Sequence, residues 1–114
     1  MDKILDENII AQFSPQQINT YFSLYLKNAT RLIESLQTDM QNKDLESIRQ
    51  RAHKLKGSSM VVGAESIRNI SQEIEEAAKS KEPVSEEKIQ QLKDQFQLLS
   101  QTLKQRFNLS IQRG

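Results

Sequence analysis

The sequence contains a single histidine, His53, in the run Ala52-His53-Lys54-Leu55-Lys56-Gly57-Ser58-Ser59. With about 3.6 residues per helical turn, positions three and four beyond His53 lie on its own surface strip. Those positions hold Lys56, a cation beside the imidazole, and Gly57, which has no side chain. An imidazole nitrogen can attack an acyl phosphate and hold the phosphoryl group as a labile phosphoramidate. That group carries spread negative charge, so a cation one turn away stabilises both the transfer and the loaded ring. A glycine inside a helix costs about 1 kcal/mol relative to alanine, so Gly57 calls for a reason other than local stability. Clearance for a partner closing over the ring is such a reason.

These residues must be positioned by helices. Ile18, Phe22, Tyr25, Ala29, Leu32, Leu36 and Met40 recur in steps of three and four, the mark of one helix face. Ser14 before Pro15 predicts the start of that helix, since serine caps and proline suits the first turn. Asn42-Lys43 makes a short joint, and Asp44 is the next N-cap. Leu45, Ile48, Ala52, Leu55, Ser59 and Val62 form a second seam, broken by Gly63. Ile67, Ile70, Ile74, Ala77 and Ala78 form a third, which stops before Glu82-Pro83. Ser85 caps a fourth, with Ile89, Leu92, Phe96, Leu99 and Leu103 facing inward. Ile4 to Phe13 reads as a small helix across one end. No segment alternates with period two, so the expected class is all-α. Short connections imply an up-down-up-down antiparallel four-helix bundle with a short extra N-terminal helix, one domain over residues 1–114.

Composition narrows the function. There are no cysteines, so no disulfide framework or thiolate metal site is available. No apolar run approaches the ~20 residues of a membrane span, and no signal-peptide pattern opens the chain; a cytoplasmic protein with no membrane partner is expected. Sixteen basic and 15 acidic residues are mixed along the chain for a net charge of +1, which argues against nucleic acid as a partner. Gly57, Gly63 and Gly114 are its only glycines, and none builds a phosphate-cradling loop of a nucleotide site. A bundle metal site needs Glu-x-x-His spacing, and the residue three before His53 is Gln50.

Taking ~100° per residue, His53 points roughly 120° from the centre of the buried face of its helix, which places it on an exposed flank. Arg49, Lys56, Gly57 and Met60 share or border that flank, and Arg49 and Met60 are candidate contacts for a docking partner. Lys54 points elsewhere and reads as a solvating charge. Ser59 falls on the apolar seam, where a small residue permits close helix approach and its hydroxyl can bond back to the preceding turn.

The run His53-Lys54-Leu55-Lys56-Gly57-Ser58-Ser59, followed by Val62-Gly63-Ala64 and by Ile74-Glu75, resembles the histidine phosphotransfer (HPt) domain of bacterial phosphorelays. The resemblance implies that His53 is the phosphorylated residue, Lys56 the phosphoryl stabiliser and Gly57 the clearance. It further implies that Glu75 orients the histidine by accepting a hydrogen bond from one ring nitrogen. The partners it implies are response-regulator receiver domains, with a hybrid sensor kinase as a possible further partner. Magnesium would belong to the receiver and no cofactor to this chain, a monomeric phosphocarrier without autonomous kinase activity. Two other readings stand beside it. In one the chain is an adaptor or structural bundle with an incidental histidine. In the other it is the dimerisation and phosphoacceptor module of a sensor kinase, which expects an acidic residue where Lys54 stands.

Overall fold

The computed structural model describes residues 3–109, and every regular element among them is a helix. The order is α1 (Glu7–Ile10), α2 (Pro15–Gln41), α3 (Leu45–Val62), α4 (Glu65–Lys79) and α5 (Glu86–Phe107). Helix α2 has 27 residues, about 40 Å at ~1.5 Å per residue, and so accounts for the molecule's 41 Å long axis. Sequential helices pack side by side, and α2 also meets α5 to close the bundle.

The ends are set by local chemistry. Ser14 and Gln17 form a reciprocal capping box in front of α2, with Pro15 in the first turn. Asp44 caps α3 by accepting from the Ser47 N–H at 3.1 Å, and Ser85 caps α5 by accepting from the Lys88 N–H. Gly63 ends α3 at φ +79°, in the left-handed region, and the Ala64 N–H closes on the Ser59 carbonyl at 2.9 Å. A Cβ at Gly63 would stand 3.2 Å from the Ile9 side chain, a tight contact that adds to the strain a side chain would carry at this left-handed position.

The core runs the length of the bundle through Phe22, Leu36, Ile48, Leu55, Ile67, Ile74, Leu92, Leu99 and Leu103. The buried faces are wider than a single seam. Leu26, Ile33 and Asp39 of α2 are buried, whereas the expected Leu32 and Met40 are only half-buried. Ala77 and Phe96 are likewise half-buried. The expected small helix from Ile4 to Phe13 contracts to α1, four residues long. The segment is held by packing instead: Leu5 before α1 and Ile10 at its end are buried, and the Asp6 N–H donates to the Gly63 carbonyl at 2.8 Å. This N-terminal strap therefore lies against the α3–α4 turn.

Candidate functional site

The most extensive helix interface is that of α3 with α4, and the sequence-predicted residues gather along one edge of it. The His53 side chain is 64 % exposed, and its Nδ1 lies 2.7 Å from Glu75 Oε2. Glu75 is 2 % exposed, and its other oxygen, Oε1, accepts from Lys56 Nζ at 2.6 Å. Burial pushes the Glu75 carboxyl up, but the hydrogen bonds from Lys56 and His53 outweigh it and hold the group below the usual glutamate value. Glu75 is therefore an anion at neutral pH and can only accept. It follows that Nδ1 carries the proton, and in the neutral ring Nε2 keeps its lone pair.

Glu75 is not a surface carboxylate but the buried hub of the cluster. Lys56 is half-buried and is hydrogen-bonded to that same carboxylate. Gly57 is exposed, and a Cβ built there would meet nothing within 4 Å. No packing inside the bundle asks for a glycine at that position.

The remaining candidates divide. Arg49 lies on the flank but forks onto Glu46 of its own helix, with Nε 3.1 Å from Oε2. Met60 is exposed, next to a groove of about 190 Å³ lined also by Ile9, Gly63 and Arg68. Val61, still more exposed, lies outside the sequence motif. Ser58 bonds back to the Leu55 carbonyl at 3.2 Å, but Ser59 does not bond to its own helix. Its hydroxyl pairs with the Tyr25 hydroxyl of α2 at 2.7 Å, both groups buried.

Three charged residues beyond the motif complete the picture. Lys79, one turn beyond Glu75 on α4, has Nζ 3.8 Å from Glu75 Oε2. The signal for it is the i,i+4 spacing from glutamate to lysine. Asp39, buried on α2, accepts from Arg51 Nε at 2.6 Å and ties α2 to the opposite flank of α3. Among the described residues no group of His, Asp and Glu side chains is arranged to hold a metal ion.

An exposed imidazole oriented by a buried carboxylate on the next helix of a bundle leaves Nε2 open to chemistry, and such a nitrogen can accept a group. The sequence model of the Hpt domain family matches residues 20–102. The chain belongs to the Hpt domain family. The fold agrees with that membership: this Hpt domain is similar to Ypd1p, as seen in a triclinic crystal form, with a TM-score of 0.82. The match covers 96 % of each chain at 14 % sequence identity. No curated protein sequence matches the chain. Hpt domains are histidine phosphocarriers of phosphorelays that work with response-regulator receiver domains, and this chain is such a carrier. No helix among the described residues is long and apolar enough to cross a membrane.

Proposed function

We propose that His53 is the phosphoacceptor, that Lys56 stabilises the phosphoryl group and that Glu75 fixes the ring. The observation that carries this reading is the hydrogen bond from His53 Nδ1 to buried Glu75 across an exposed ring. A receiver domain bearing phospho-aspartate docks over the flank. The Nε2 lone pair forms a bond to phosphorus as the phosphorus–oxygen bond to aspartate breaks, and the aspartate leaves as a carboxylate. No proton moves: the ring becomes a phosphoimidazolium whose Nδ1–H stays on Glu75, so the carboxylate opposes the charge that develops. A second receiver takes the group away by the reverse step. The open space at Gly57 admits the receiver's active site, with Arg49 and Met60 at its border.

The chain acts as a carrier without kinase activity of its own. It needs no cofactor, since magnesium and most of the catalytic groups belong to the receiver. We place it in the cytoplasm as a monomer, a single domain over residues 1–114, with a hybrid sensor kinase as a further source of the donor receiver. Label transfer from a panel of phosphorylated receivers to the native chain and to His53→Gln tests the acceptor. Acid-labile, alkali-stable label on the native chain alone is expected. Equal labelling of both would remove His53 from the reaction.

A further inference from the structure

Glu75 has two oxygens and a close partner on each, Lys56 on Oε1 at 2.6 Å and His53 on Oε2 at 2.7 Å. A phosphoryl group arriving on His53 brings negative charge to the neighbourhood of Lys56. Every step Lys56 takes toward it strips Oε1 of its hydrogen bond, and an unpaired carboxylate that is 2 % exposed is costly. One other cation is within reach. Lys79 lies 3.8 Å from Oε2, its side chain is 58 % exposed, and among the described residues its ion pairing is to Glu75 alone. About 1 Å of movement by its flexible stem brings it to the length of a charge-assisted hydrogen bond on Oε2, beside the His53 N–H. There it replaces the cation that Lys56 withdraws from the carboxylate rather than the hydrogen bond on Oε1.

We propose that Lys79 is a positioning residue that takes over Glu75 when the phosphoryl group draws Lys56 away, so that one buried carboxylate is covered in both states of the carrier. The proposal rests on His53 as acceptor and Lys56 as phosphoryl partner. It assigns Lys79 its main role in the phosphorylated state: before phosphorylation Lys56 is hydrogen-bonded to Glu75 and Lys79 stands at a long ion-pair distance, and afterwards Lys79 closes in as Lys56 leaves.

The test uses the small phosphodonor phosphoramidate, which loads imidazole with loss of ammonia and needs no receiver. Native chain, Lys79→Met, Lys79→Arg, Lys56→Met, the double variant and His53→Gln are compared by urea unfolding at mildly alkaline pH, with and without phosphate on His53. Expected is equal stability of native and Lys79→Met when unphosphorylated. When phosphorylated, Lys79→Met should show an unfolding constant about two- to fivefold larger, the range for a partly exposed ion pair, and Lys79→Arg should restore the native value. In the Lys56→Met background, the effect of removing Lys79 should lose its dependence on phosphorylation. Side-chain NMR of the native chain should show the Lys79 Nζ signal moving when His53 is loaded. An unmoved Lys79 signal, or equal stability of phosphorylated native and Lys79→Met, would overturn the exchange while leaving His53 as acceptor. Phosphate on other residues and none on His53 would instead sink the acceptor reading, and the exchange with it.

Discussion

At the scale of single residues, the site depends on one position that is empty and one that is buried. Gly57 has open space around it, so Gly57→Ala should raise stability by about 0.5–1 kcal/mol, read as a higher urea midpoint, while slowing transfer from a receiver. Alanine with native transfer kinetics would show that the clearance serves nothing. Glu75 gives the second prediction. Between its depressed folded value and the ordinary value of 4.5, the unfolded chain binds more protons, so stability rises with pH there. The contribution is complete above that window and is lost as pH falls through the folded value. Urea midpoints of Glu75→Gln should therefore vary less than those of the native chain below 4.5. A parallel pair of profiles would mean that Glu75 is not held as an anion. Transfer by Glu75→Gln should also slow, because an amide can present either an acceptor or a donor to Nδ1 and no longer fixes the tautomer.

At the scale of elements, the buried Tyr25–Ser59 hydrogen bond joins α2 to the helix that carries the histidine. Burial pushes the Tyr25 phenol up, with the Ser59 hydrogen bond opposing, so the pair stays neutral through the physiological range. Tyr25→Phe leaves the Ser59 hydroxyl without its partner and should cost about 1–3 kcal/mol, with phosphorylation of His53 unaffected. A loss of phosphotransfer without loss of stability would instead tie that bond to the site. Helix ends were the most legible part of this chain, because Ser14, Asp44, Gly63 and Ser85 act on backbone groups within a few residues. Buried faces were less so. A seam of threes and fours describes contact with one neighbour, but each bundle helix touches two, so Leu26, Ile33 and Asp39 are buried beside the expected strip. Asp39 and Ser59 carry no sign of their partners, Arg51 and Tyr25, because those meet them only across a helix interface. His53, Lys56 and Gly57 were legible through helical geometry. The bond from His53 to Glu75 was implied by the family resemblance, but the burial of Glu75 and its bond to Lys56 were not legible, since nothing in its own helix reports burial.

At the scale of the whole molecule, the bundle is held by a continuous core, and its surface charges contribute little. The Arg106–Glu7 fork ties the end of α5 to α1 and lowers the Glu7 carboxyl, but both side chains are largely exposed. Glu7→Gln should accordingly shift stability by no more than about 1 kcal/mol. Urea unfolding should be a single transition for every helix, as one shared core requires; separate transitions for α1–α3 and α4–α5 would divide the chain.

The N-terminal strap has a consequence for the order in which the chain assembles. Helix pairs adjacent in sequence meet across short joints, which makes their encounter fast and their loop-closure cost small. The strap instead binds a turn far along the chain, and its Glu7–Arg106 contact spans 99 positions. It must dock onto a bundle already formed, and the Gly63 carbonyl must wait for the Asp6 amide. Hydrogen exchange should then find the Asp6 amide opening by a local, low-energy fluctuation, well before the amides of α3 and α4 are released by global unfolding.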